Sequence, residues 1–405
     1  MYPPRGAFVI AHSKLVQEND VAKSLSRDER SGSQPTAHVP MLDVLRACAA
    51  LMVFIYHCFT EFMAGSTSRL VPTLSQGNFG VHLFFTLSGY LIYAALDKSF
   101  SGTAYSLSAA KKFGIFWTKR FFRIYPLYLV SLATVLILNQ NVRQYLSVGD
   151  LVSHIFGVHS FFRGYHGSIN GVLWSLATEI QFYIVAPFIF LAVRKVSNLR
   201  LVVLSLVNWL VAYVVFRYLL IERYGLWTAG GAPDSWAYFM GLTQLPSTLI
   251  LFSIGFLGYR LRSVSVSPSL VISSIVAFGA LPYLLPTAQR VGIDPYLYVY
   301  IRSLLFSCLF LPLLIAASHS TGPSSLLVRL FSWVSDLSYS FYIWHLVIMR
   351  CLVSHFPGRS LAFYVCVSLA ATLIASDFTA RYIEKPGVAA GGWLVKKFQG
   401  YKKVI

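Results

Sequence analysis

The sequence predicts an all-α fold, a polytopic transmembrane helix bundle of about ten spans with both termini in the cytoplasm. Three observations predict it. Of 405 residues, 56% are hydrophobic and only 12% charged, half the share of about 25% that a soluble domain carries. The mean hydropathy is +0.63, and apolar runs recur at lengths near the 20 or so residues that cross a bilayer. Lys and Arg gather in alternate loops, as they do on the cytoplasmic side of membrane proteins. The formal charge of +18 therefore needs no nucleic-acid partner, because the basic residues lie between apolar runs and not along one face.

The predicted spans, in order, are Val44–Met63, Phe79–Leu96, Phe122–Leu138, Val172–Val193, Leu201–Leu220, Thr243–Tyr259, Pro268–Leu285, Leu297–Ala317, Phe331–Cys351 and Leu361–Ile383. The first carries Arg46 and His57 within an apolar run. The second holds the small pair Ser88-Gly89 among aromatics, which suits close helix approach or a ligand chain passing by. The third begins on the basic run Lys119 to Arg123. The fourth contains Glu179, and the ninth His345. The stretch Leu151–Phe162 is too short to span and reads as a loop or interfacial helix.

Loop charges set the direction. The N-terminal tail, the loop after span two (Lys98, Lys111, Lys112, Lys119, Arg120), the loop after span four (Arg194, Lys195, Arg200) and the C-terminal tail are rich in Lys and Arg. The opposite loops are poorer, which places both termini in the cytoplasm. Residues 1–40 read as a cytoplasmic tail, disordered at least over Ser24–Thr36. Residues 41–386 form the membrane domain, and 387–405 a basic cytoplasmic tail. The polar start shows no signal peptide. The five cysteines are scattered through apolar runs with neither zinc nor disulfide spacing.

Titratable side chains at membrane depth are costly and therefore functional candidates. Arg46 and His57 are eleven residues apart, so they share a helix face and lie about 16 Å apart along the axis. Counting from predicted outer ends, His57, Glu179 and His345 all lie about 9 to 10 Å deep. A His beside a carboxylate is a general-base arrangement. Arg120 and Arg123 share a face and have the fork geometry that binds phosphates. Each has a bland counterpart: a packing histidine, an anchoring Arg pair, an N-cap at Asp43, a snorkelling Arg302 or Arg350.

Several segments together resemble the acyltransferase-3 family of membrane acyltransferases. They are Leu42-Asp43-Val44-Leu45-Arg46 followed by His57, Phe84 to Ile92, Arg120 to Pro126, and Leu173-Trp174-Ser175-Leu176 with Glu179 and Phe182-Tyr183. Leu337 to His345 and Glu384-Lys385-Pro386 complete the ordered set. The resemblance implies transfer of an acyl group, commonly acetyl, from cytoplasmic acyl-CoA to a hydroxyl. That hydroxyl is often on a sugar of surface polysaccharide, lipopolysaccharide or a glycolipid, and in some members on a small molecule such as a macrolide. It implies a bacterial inner-membrane location and no bound cofactor; His154, His159 and His166 have no tight metal spacing, so no metal is expected.

On this reading Arg46, Arg120 and Arg123 dock the CoA phosphates, and the arm passes Ser88 and Gly89. His57 acts as general base or transient acyl carrier, and Glu179 orients it. His345 or Tyr339 stabilises the oxyanion or positions the acceptor, with Trp174 beside them. The acceptor enters from outside, beneath the loop of His154, His159 and His166. The competing class is a transporter in which the same titratable layer relays protons or binds substrate.

Overall fold

The computed structural model describes residues 39–63, 71–101, 107–222, 240–285, 292–320 and 325–398. The expected tail over residues 1–38 and the last residues of the C-terminal tail, 399–405, lie outside them. Among the described residues there is no strand. The principal helices are α1 Pro40–Phe62, α2 Phe79–Ser101, α3 Ala109–Leu138, α4 Val148–Ile155, α5 Leu173–Val193, α6 Asn198–Phe216, α7 Leu245–Arg260 and α8 Pro268–Leu284. They continue as α9 Pro295–Cys308, α10 Phe310–Ser318, α11 Leu326–His355, α12 Leu361–Thr379 and α13 Lys385–Phe398.

Local chemistry fixes many of the starts. Ser108, Ser147, Ser197, Ser267, Asp294, Ser325 and Ser360 each accept a backbone N–H from three residues on, opening α3, α4, α6, α8, α9, α11 and α12. Pro268 and Pro295 follow such caps, where their missing N–H costs nothing. The predicted eighth span is two helices with a break at Leu309. Pro312 cannot donate to the carbonyl of Cys308, the last residue of α9, so the ladder fails there.

Nine helical segments among the described residues are long and apolar enough to cross a membrane. The seventh predicted span, α8, has 17 residues, and at about 25 Å it falls short of a 30 Å hydrocarbon core. The third predicted span starts thirteen residues too late, because α3 begins at Ala109; Arg120 and Arg123 therefore sit well inside a helix and not at its mouth. Much of the C-terminal tail expected from residue 387 is helical. Residues 385–398 form α13, where Gly387 and Gly391 let it pack against Phe122 of α3.

The core lies between α1, α2, α3, α5, α7 and α11. Phe182 of α5 stacks on Phe252 of α7 with ring centres 3.8 Å apart. α2 and α7 cross through small residues: a Cβ on Gly89 would strike the backbone carbonyl of Phe252, and one on Gly255 that of Thr86. α6 buries only Leu201 and Ala212, and α8 only Ser274. Their exposed rows of Leu, Val and Ile face outward, as lipid-facing helices require.

Candidate active site

Two cavities follow one another along α1. The first, of about 130 Å³, is lined by Arg46, Ser88, Arg120, Arg123, Glu179 and Tyr339 among others. Three guanidinium groups and one carboxylate make it a cationic pocket suited to phosphate. Each charge is held. Arg46 lies 3.7 Å from Asp43, and Asp43 accepts from Ser335 at 3.3 Å. Arg120 lies over the Phe116 and Tyr183 rings, 5.6 Å from each centre. Arg123 pairs with Glu384 at 3.1 Å, and Ser340 donates to the other Glu384 oxygen at 2.9 Å. Glu384 is buried in the one-turn π segment Ala380–Glu384, which turns α12 into α13.

Glu179 accepts from Ser88 at 2.9 Å and from the Tyr183 hydroxyl. It belongs to this arginine pocket and is not the partner of His57, contrary to the expectation from depth counting. The reason lies in where α5 starts. Asn170, three residues before α5, is buried and donates to the carbonyl of Ile343, two residues from His345. α5 thus begins inside the bundle, near the level of His345, and Glu179 lies six residues, about 9 Å, further along.

The second cavity, of about 190 Å³, is lined by His57, His82, Trp174, Val81 and Tyr342. Val81 and Tyr342 also line the arginine pocket, so the two cavities adjoin there. His57 meets His345: Nε2 of His345 lies 3.1 Å from Nδ1 of His57. Backbone carbonyls set the tautomers. His345 Nδ1 lies 3.2 Å from the Phe341 carbonyl and must carry a proton, which leaves its Nε2 as acceptor. His57 Nδ1 lies 3.0 Å from the Val53 carbonyl, so it also carries a proton and shares it with His345. The lone pair of His57 is then on Nε2, which makes no protein hydrogen bond among the described residues. That nitrogen is placed to accept a proton.

The other expected residues divide. Trp174 lines the histidine chamber as anticipated. Tyr339 does not: its hydroxyl donates to the Ile124 carbonyl at 2.6 Å, on the arginine side. Ser88 lines the pocket, but Gly89 faces α7 and serves helix contact, not ligand passage. Sequence reasoning gave no role to His82, Tyr183 or Glu384. His82 Nδ1 donates to Ser307 at 3.0 Å, and Ser307 donates to the Ser303 carbonyl. Tyr183, four residues after Glu179 on the same helix face, was the most legible of the three.

The loop histidines also separate. His166 stacks on Trp174, with the ring planes 15° apart. His154 and His159 are fully buried and stack on each other with centres 3.9 Å apart. His154 Nδ1 lies 2.9 Å from Asp150, which in turn accepts from Ser168. Neither ring nitrogen of His159 has a hydrogen-bond partner among the described residues. Burial, with His154 and His166 nearby, pushes the basicity of His159 down to about 2; burial lowers His166 to about 4. Burial also lowers His154, against the pull of Asp150. These two stacked, buried rings, His154 and His159, pack together in the segment before α5.

A family model described as an acyltransferase domain matches residues 39–380. The chain is 26% identical over 382 residues to a "Putative O-acetyltransferase" of Staphylococcus aureus (strain COL), covering 88% of this chain and 59% of that protein. It is 27% identical over 395 residues to the peptidoglycan O-acetyltransferase OatA of Listeria monocytogenes, covering 90% of this chain and 58% of that one. The chain thus spans less than two thirds of the length of these curated relatives. No solved structure matches it.

Proposed function

Because the chain belongs to the acyltransferase-3 family, we propose that it is a multi-pass membrane enzyme that moves an acetyl group from cytoplasmic acetyl-CoA to a hydroxyl of a sugar-containing acceptor. The observation that carries this reading is the tandem of cavities along α1. A cationic pocket adjoins a chamber that His57 lines with an unbonded Nε2, and Arg46 and His57 are about 16 Å apart along the helix. A donor with phosphates at one end and a thioester on an extended arm matches that layout. The names of the relatives support acetyl as the group and a glycan as the acceptor.

In the proposed reaction Arg46, Arg120 and Arg123 hold the phosphates, and Ser88, fixed by Glu179, lies along the arm. The thioester carbonyl sits beside His57, past Val81 and Tyr342. The acceptor oxygen attacks the carbonyl carbon while His57 Nε2 takes its proton. The C–S bond breaks, and the imidazolium returns the proton to the departing CoA thiolate. His345 accepts the Nδ1–H bond and so holds the ring and stabilises its charged form. The Trp174 indole N–H makes no protein hydrogen bond among the described residues and is assigned to the acceptor.

Lys and Arg before and within the first turns of α3, between α5 and α6, and on α13 support placing the arginine pocket on the cytoplasmic side. The bacterial sources of the relatives support an inner-membrane location. The test is His57→Ala in purified, stably inserted protein. Transfer should fall by roughly 10²- to 10⁴-fold, while acetyl-CoA still raises the unfolding temperature. Undiminished transfer would remove the core of the proposal.

A further inference from the structure

Two more cavities open between α3, α11 and α12, away from the donor pocket. One, of about 420 Å³, is polar: Asn139, Gln140, Asn141, Ser168 and Arg350 line it. The other, of about 680 Å³, is apolar, with Trp344, Ile348, Ile374, Ala375 and Phe378 on its walls. Leu138, Val347, Cys351 and His355 line both, so they form one amphipathic cleft. Its apolar part runs from Trp344 to Phe356 on α11, about 18 Å, more than half the thickness of a hydrocarbon core.

The polar end lies next to the proposed chemistry. Arg350, half exposed, contacts Glu61 at 3.3 to 3.4 Å, long for a charge-assisted pair. Glu61 is four residues after His57 on α1, and Arg350 is five after His345 on α11. Their pair is therefore the next rung beyond the two histidines, about 6 to 8 Å along. The segment 168–174 divides the spaces: Ser168, Ile169 and Asn170 line the cleft, while Val172 and Trp174 line the histidine chamber.

Bulk lipid has no use for an amide-rich pocket, and a free polymer has none for a long apolar groove. A molecule with a hydrocarbon tail, an anionic group and a hydroxyl-rich head fills all three parts. We infer that the acceptor is a membrane-anchored glycan phosphate, its tail in the groove of α11 and α12, its phosphate at Arg350 and its sugar among Asn139, Gln140 and Asn141. This rests on the acyl-transfer reading above and narrows its acceptor. It also assigns Arg350 as an anion-binding residue, where sequence alone allowed simple snorkelling.

The experiment uses the full chain in nanodiscs with a diazirine-tagged long-chain polyprenyl phosphate, followed by mapping of the labelled peptides. Label should concentrate in residues 344–356 and 371–379. Ala375→Trp, which fills the groove, and Arg350→Gln should each lower it at least tenfold. Ala371→Trp, one turn away on the same face, repeats the test should the first variant fold poorly. A phosphatidylcholine with the same tag should label α6 and α8 as strongly as α12. Even labelling by the polyprenyl phosphate, or full labelling in correctly folded Trp variants, overturns the inference. Acetyl-CoA stabilisation of the unaltered protein is measured in parallel. Intact stabilisation with even labelling strikes only this inference; focused labelling without stabilisation strikes the acyl-transfer reading and leaves a lipid-phosphate site.

Discussion

Acid should open the loop that holds His159, and by a calculable amount. The side chain is fully buried and neither ring nitrogen is bonded, so the closed loop holds it neutral down to about pH 2. The opened loop returns it to the ordinary value of about 6.5. Above that value both forms are neutral and the closed loop keeps its full stability. Below it the open form takes up a proton that the closed form refuses, costing about 1.4 kcal/mol per pH unit. Between pH 6.5 and 5.0 the loss is about 2 kcal/mol, or roughly a thirtyfold rise in opening. His166, lowered by burial to about 4, adds in the same direction. Hydrogen exchange of peptides spanning 156–172, followed from pH 7.5 to 5.0, reads this directly once corrected for intrinsic exchange. In His159→Phe, which keeps the ring stack on His154, the slope should fall by one proton. An unchanged slope in that variant, or a flat profile in the parent, refutes the reasoning.

Other expectations follow from single contacts. Gly89→Val should lower stability by about 1 to 3 kcal/mol, seen as a lower unfolding temperature in detergent, because its side chain meets the Phe252 backbone, which cannot turn aside. Arg123→Ala should destabilise more than Glu384→Gln, because it strands a carboxylate that is 3% exposed, whereas Arg123 itself is 41% exposed; equal losses would argue against the pair. Arg120→Ala is then the cleaner probe of donor binding and should raise the acetyl-CoA concentration needed for half-maximal stabilisation. His345→Phe should lower kcat by roughly tenfold to a hundredfold with little change in KM, since it acts through His57 and touches no substrate. A purely structural role would shift both.

The spans were legible because twenty apolar residues have few other uses, and the meeting of His57 with His345 was legible because both helices end near one level. What failed was the assumption that all helices do. α5 begins below the surface, held by Asn170, and the signal for that is one buried amide in a glycine-rich segment, not a hydropathy minimum. Glu179 was therefore assigned to the wrong partner while still belonging to a functional pocket. Gly89 was ambiguous for another reason: a small residue is needed equally for a passing ligand and for a crossing helix, and only the position of α7 decides. α13 was missed because its glycines and lysines look like a tail until Phe122 is seen against them.

The tandem of cavities along α1 also has an electrical consequence. In the proposed reaction the donor's phosphates remain among the guanidinium groups, and only its uncharged arm and acetyl group reach the far chamber. Carrying the whole donor across would move charge through the field, worth about 2.3 kcal/mol per charge per 100 mV. An acetyl group does no such work, so turnover should be indifferent to the membrane potential and should draw nothing from the ion gradients that sustain it.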